Sequence, residues 1–260
     1  MSEELIHYNV KVRIAEITID RPDKAHAFNV EMLKLLYNYL IEADKDEKVN
    51  YILIKSTGTR FFSAGYDLKQ IQGSPENVKQ VTEWGRKVNE TMLYIKKPII
   101  TQVQGIAVGF GVLLILASDL RIFADRPKEE LYLRLPELAI SAFPQTGATL
   151  LPLLAFGQTY AKYMLFTADK VGVDDLRNLN FPTRVFPLED LDTKTKEFMR
   201  DLVKYKNEFI FTTKTMLSIM NKRYIESCFD LEDECGAIAY ANKSYEELSE
   251  FIRNLYKKYT

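Results

Sequence analysis

The chain has 260 residues, 47% of them hydrophobic, enough to bury the core of one large domain or two small ones. Thirty-five Lys and Arg against 36 Asp and Glu leave a net charge of −1. No basic stretch interleaved with aromatics stands out, so nucleic acid is a poor candidate partner.

The acidic start Met1-Ser2-Glu3-Glu4-Leu5 lacks the apolar segment of a secretory signal. The longest apolar run, Ile106 to Ala117, is too short to span a bilayer and contains two glycines. A soluble, cytoplasmic protein with no membrane partner is the economical reading. Val10 to Asp20 reads as a strand ending in the turn Asp20-Arg21-Pro22-Asp23-Lys24. Asn29 is a candidate N-cap for a helix to about Ala43, with Met32, Leu33, Leu36, Leu40 and Ile41 on one side. Tyr51 to Ile54 is a short apolar run bounded by polar residues, as expected of a buried strand. A loop from Ser56 to Lys69 follows, then a helix from about Pro75 to Tyr94 that holds the only tryptophan, Trp84. Pro98 to Val103 is a strand, Gly109 to Ser118 a helix, and Leu120 to Ala124 a strand. Strands alternating with helices predict an α/β fold with a largely parallel sheet.

From about Leu188 the pattern changes. Glu189 to Lys206, Thr213 to Ser227 and Phe229 to Tyr259 read as amphipathic helices with no strand between them. This divides the chain into an α/β core, residues 1–188, and a helical region, residues 189–260, with no flexible linker between. Cys228 and Cys235 lie two helical turns apart, too far for a disulfide, and are read as helix-packing residues. With only two histidines and no Cys/His cluster, no metal site is expected. His7 and His26 are read as exposed or locally bonded imidazoles.

Two segments carry the chemistry: Phe62-Ser63-Ala64-Gly65-Tyr66-Asp67-Leu68-Lys69, and Gly105-Ile106-Ala107-Val108-Gly109-Phe110-Gly111 about forty residues later. Each follows a strand-like segment and places glycine where the chain turns into a helix. Backbone N–H groups at a helix start lack intrahelical acceptors and can meet a negative charge. Two such donors aimed at one point make an oxyanion hole. The bland alternative is that the glycines only let strand and helix pack closely.

Ile19-Asp20-Arg21-Pro22, the first glycine segment, Lys97-Pro98 leading to the second, Ala117-Ser118-Asp119-Leu120-Arg121-Ile122, Leu135-Pro136-Glu137 and Gly147 occur in that order. The series resembles the crotonase, or enoyl-CoA hydratase/isomerase, family over roughly residues 8–186. The resemblance implies a crotonase-like spiral of repeated ββα units with C-terminal helices packed on the core or on a neighbouring subunit. It implies a homotrimer or homohexamer acting on an acyl-CoA thioester, with coenzyme A entering as part of the substrate and no covalently bound cofactor. Carried over residue by residue, the oxyanion donors are the N–H groups of Tyr66 and Phe110, whose side chains are not needed for those bonds. The backbone around Ala64, Gly65, Tyr66 and Leu68 would flank the adenine of coenzyme A, with Gly109 and Leu114 completing the substrate site. Lys69 and Arg60 are either phosphate contacts or solvated loop cations. The tail Arg253 to Tyr259 either reaches a nucleotide 3′-phosphate or is a solvated helix end.

Hydratases of the family use two glutamates, one on the helix that begins at the second glycine segment and one in a P-E-x pair. This chain matches only the second, as Glu137, and at the first position it has Leu114. Adding water to a conjugated thioester divides the work between two carboxylates, whereas moving a double bond from β,γ to α,β needs one base. A site lined with Leu114, Phe110 and Phe143 would also raise the pKa of Glu137. Phe143 to Thr149 is bulkier than the corresponding hydratase loop, which weighs against plain hydration. The expectation is a single-glutamate Δ3–Δ2 enoyl-CoA isomerase. The alternatives are an enoyl-CoA hydratase and a non-catalytic acyl-CoA-binding relative. Asp67 and Asp119 are expected to be structural, Asp67 as an N-cap.

Overall fold

The computed structural model describes residues 5–71, 75–241 and 244–259. Val12 and Arg13 take φ of 49° and 63° and fold the predicted strand Val10–Asp20 into a hairpin of β1 (Ile6–Lys11) and β2 (Ile14–Ile19). No glycine or asparagine announces this left-handed turn. Helix α1 (Val30–Lys45) follows, and Asn29 Oδ1 accepts the Met32 N–H at 2.8 Å as the expected N-cap. It buries Met32, Leu33, Leu36, Leu40 and Ala43 against the sheet.

Three further ββα turns follow. β3 (Tyr51–Ser56) and β4 (Phe61–Ser63) lead into α2 (Leu68–Ile71) and α3 (Pro75–Tyr94). β5 (Ile99–Val103) and β6 (Ile106–Val108) lead into α4 (Phe110–Ala117), and β7 (Leu120–Asp125) and β8 (Tyr132–Arg134) into α5 (Leu150–Thr167). Then come β9 (Val171–Gly172), α6 (Val173–Asn178) and β10 (Arg184–Pro187). The first strand of each of these three turns joins β1, β2 and β10 in one sheet, ordered β1-β2-β3-β5-β7-β10, and the second enters another, ordered β4-β6-β8-β9. Among the described residues only β1–β2 and β8–β9 pair antiparallel. This is the spiral that the resemblance implies. The predicted loop Ser56–Lys69 therefore contains a strand of the second sheet and the start of α2. The core lies where α1, α3 and α4 meet the large sheet. All five residues of β5 and all eight of α4 are buried, as fits a strand and a helix covered on every side.

Among the described residues no strand follows Pro187. Helices α7 (Leu191–Leu202), α8 (Asn207–Met220), α9 (Lys222–Ala239) and α10 (Tyr245–Tyr259) complete the chain. The predicted helix Thr213–Ser227 straddles the α8–α9 junction, and Phe229–Tyr259 divides between α9 and α10. Charged side chains help fasten this layer to the core. Lys214 of α8 is buried and donates to Asp119 at 2.7 Å and to the carbonyls of Met92 and Lys97. Arg86 of α3 reaches Asp230 and Asp233 of α9 at 2.6 and 2.5 Å. Cys228 and Cys235 are free, half-buried thiols on α9. His7 bonds Asp20 at 2.9 Å. His26 is buried: its Nδ1 accepts from the Arg21 N–H, and its Nε2 meets the Thr57 carbonyl at 3.0 Å. Among the described residues no helix is long and apolar enough to cross a membrane, and no group of three acidic, His or Cys side chains could hold a metal ion.

Candidate active site

β4 and β6 are adjacent parallel strands, with Phe61 opposite Ile106 and Ser63 opposite Ala107, so the chain leaves both at the same end. Gly65 (φ +87°) turns the first chain and Gly109 (φ +52°) the second, conformations that a side chain resists. The turns touch: a Cβ on Gly65 would lie 2.8 Å from Val108 O and 3.2 Å from Phe110 N. Phe28 donates to Gly65 O at 2.7 Å and accepts from the Asp67 N–H at 2.8 Å, a parallel bridge that leaves the N–H of Tyr66 pointing to the other side. Phe110 is the first residue of α4 and has no intrahelical acceptor. Among the described residues, neither N–H donates to a protein acceptor. Asp67 forms an ion pair with Arg21 at 2.9 Å, which pins the turn beyond Tyr66.

Glu137 follows β8. The Gly109 N–H donates to Arg134 O at 2.9 Å, tying the end of that strand to the second glycine turn. Glu137 Oε1 lies 3.4 Å from where a Gly109 Cβ would stand, and Oε2 is buried with no hydrogen-bond partner. Burial pushes its pKa up to about 7, and the charge of Glu232 on α9 adds to the rise. A buried carboxylate with an unpartnered oxygen, set against the glycine turn that precedes an unpaired N–H, suits proton abstraction next to a carbonyl.

Leu114, expected at the position of the first hydratase glutamate, is wholly buried in the core. Helix periodicity places it about 140° round from Gly109, and the residue on the Gly109 side is Leu113, four positions on. The expectation is corrected in position and keeps its consequence, because no residue of α4 is acidic. Phe110 is buried and Phe143 half-buried. Ala64 is half-buried, while Leu68 and Lys69 on α2 face solvent, as does Arg60. Asp119 is structural: its Oδ2 accepts from the Ile99 N–H and from Lys214, each at 2.7 Å.

The Tyr66 side chain does more than the sequence suggested. Its ring stacks on Phe110 with centroids 4.7 Å apart, and its hydroxyl donates to Thr146 Oγ1 at 3.1 Å. Burial drives the phenol pKa far above its ordinary value. Asn89 and Glu232 join this cluster and were not singled out by sequence reasoning. Asn89 Nδ2 donates to Thr146 O at 2.7 Å, and Glu232 accepts from the Gly147 and Thr149 N–H groups at 2.6 and 2.8 Å. Glu232 did leave a signal, since Ile225, Phe229, Glu232 and Gly236 form one buried stripe at spacings of four, three and four. A cleft of about 1290 Å³ lies elsewhere, against α8, lined by Leu116, Asp119, Phe209, Lys214 and Leu217 among others. None of Tyr66, Phe110 and Glu137 lines it.

Residues 9–244 match the family model described as Enoyl-CoA hydratase/isomerase. The chain is 25% identical over 249 residues to a crotonyl-CoA hydratase of Syntrophomonas wolfei, covering 95% of this chain and 94% of that protein. It is 28% identical over 203 residues to the carnitinyl-CoA dehydratase of Escherichia coli K12, covering 78% and 76%. The crystal structure of an enoyl-CoA hydratase from Bacillus halodurans superposes with a TM-score of 0.84 at 17% identity, covering 95% of this chain and 98% of that one. That last likeness is one of fold.

Proposed function

We propose, from the premise that this chain belongs to the enoyl-CoA hydratase/isomerase family, that it isomerises Δ3-enoyl-CoA thioesters to Δ2 with Glu137 as its one acid–base group. The observation that carries this reading is the Glu137 carboxylate, its Oε1 against Gly109 and its Oε2 buried without a partner, beside a helix α4 that has no carboxylate. The thioester oxygen would sit between the N–H groups of Tyr66 and Phe110. The carboxylate of Glu137 takes a proton from Cα, and the electron pair moves onto that oxygen as a dienolate that the two donors stabilise. The glutamic acid so formed returns the proton at Cγ, the carbonyl re-forms, and the double bond lies between Cα and Cβ. An acid with a pKa near 7 suits a group that must take and return the proton in one turnover. Loss of one oxyanion donor costs about 3 kcal/mol of barrier in comparable sites. Coenzyme A would lie along the backbone from Ala64 to Leu68, with Lys69 and Arg60 free to meet its phosphates.

Hydration is the second reading, favoured by the names of the Syntrophomonas and E. coli relatives. It requires a water to be held and deprotonated without help from α4. Purified protein assayed for 3-enoyl-CoA isomerisation and 2-enoyl-CoA hydration, each with and without Glu137→Gln, separates the two. We expect isomerisation to fall 10²- to 10⁴-fold in the variant, with hydration near background throughout. Brisk hydration by the unaltered chain would overturn the single-base reading. Binding of thioesters with neither reaction would make the protein an acyl-CoA binder. We further assign the exposed apolar face of α8 to contacts between copies in a homotrimer or homohexamer.

A further inference from the structure

The turn Phe143–Thr149 is held mainly from α9. Glu232, only 3% exposed, accepts from the Gly147 N–H, the Thr149 N–H and the Thr149 hydroxyl, and so occupies the N-terminus of α5. Four residues on, Gln145 packs against Gly236, where a Cβ would come within 2.4 Å of its amide. At the end of α9 the Tyr240 hydroxyl accepts the Phe143 N–H at 3.0 Å. Between the anchored residues lies Thr146, at φ +63° beside Gly147 at +97°, a conformation threonine keeps only where its surroundings hold it. Thr146 is in turn the partner of the Tyr66 hydroxyl, and the Tyr66 ring stacks on Phe110. The line of contacts therefore runs from Glu232 through the turn to the two residues whose N–H groups form the oxyanion hole.

We propose that Glu232 is a positioning residue of the oxyanion hole: its carboxylate fixes the 145–149 turn, the turn fixes Tyr66, and Tyr66 fixes its own N–H against that of Phe110. The inference rests on the function proposed above, and it makes α9 part of the active site. Both Glu232 oxygens are engaged by donors of the turn, so the group is not free to hold a water or to serve as a second base. Its other reach is through charge: it helps raise the pKa of Glu137, and Glu137, Glu232 and Asp233 of α9 all act on Tyr66.

The test separates grip on an enolate from grip on a thioester. Dissociation constants for acetoacetyl-CoA, which binds as an enolate where a hole stabilises one, and for butyryl-CoA, which cannot, are measured on the full chain and on Glu232→Gln and Glu232→Asp. We expect Glu232→Gln to weaken acetoacetyl-CoA at least tenfold and butyryl-CoA less than threefold, with Glu232→Asp restoring part of the difference. If Glu232→Gln does not fold, Tyr66→Phe removes a single oxygen from the same line and should weaken acetoacetyl-CoA selectively. Equal losses for the two thioesters, or none, would overturn the proposal. An unaltered chain that binds both but does not isomerise a 3-enoyl-CoA would overturn the isomerase reading, while the affinity ratio still decides the role of Glu232. A chain that binds neither ends both.

Discussion

Glu137 titrates near pH 7 because burial disfavours its anion, and two consequences follow from that one group. Only the carboxylate can take the Cα proton, so kcat/KM for isomerisation should rise with pH through about 7 and flatten above it. Stability runs the other way. Between the ordinary glutamate value of 4.5 and about 7 the folded chain keeps a proton that the unfolded chain has lost, so raising the pH across that window destabilises the fold. The cost above pH 7 is on the order of 3 kcal/mol at most. Glu137→Gln cannot titrate. Its melting temperature relative to the unaltered chain should therefore climb from pH 4.5 to pH 8 by several degrees, and a constant gap would show that the carboxylate is better solvated than its geometry implies. At this scale the sequence was informative where a glycine or a P-E pair marks the residue. It was a position out at Leu114, because an unbroken run of apolar residues gives no landmark for its register. Glu232 escaped because in an amphipathic helix one acid among several looks solvated, even when its neighbours at four and three residues are buried.

Helix α4 and strand β4 approach so closely that Gly111 leaves no room for a side chain: a Cβ there would stand 2.7 Å from Ser63 O. Ser63 in turn bonds the His26 carbonyl at 2.9 Å and the Gly65 N–H at 3.1 Å, so the same contact sets the first oxyanion turn. Gly111→Ala should lose about 1–3 kcal/mol of unfolding free energy, read from urea denaturation. Activity under conditions where the variant is still folded should fall as well. An unchanged midpoint would mean that α4 shifts without cost. Among the elements, α1, α3, α4 and the strands β3, β5 and β7 were legible because each is an apolar stripe or run closed by a cap, a proline or a glycine, whereas β1 and β2 read as one strand and β10 gave no signal. β4, β6 and β8 have three residues each, too few to show a period of two. The α8–α9 boundary passes through Met220-Asn221-Lys222 without glycine or proline, and the predicted helix ran across it.

Over the whole molecule, α8 leaves an apolar face uncovered while its other side is held by Lys214. Phe209, Met216 and Met220 follow one another at seven and four residues and are 69%, 60% and 78% exposed, with Leu217 and Ile219 beside them. An apolar face of this extent is covered in a working protein. Light scattering after gel filtration should give a trimer or hexamer, and Leu217→Glu with Met220→Glu should yield a folded monomer; an unaltered chain that is monomeric at tens of micromolar would remove the assignment. The topology itself was readable only through the family resemblance, because no local pattern states which strand goes to which sheet. The adjacency of β4 and β6 has a further meaning in inheritance. Both donors are main-chain groups just beyond adjacent strands of a sheet ladder, about 4.8 Å apart, so the hole itself needs no particular side chain as donor. Replacements around the held anion can therefore alter its fate while the grip persists, and a lineage built on this frame can pass from one reaction to another by single substitutions, remaining a thioester binder at every generation.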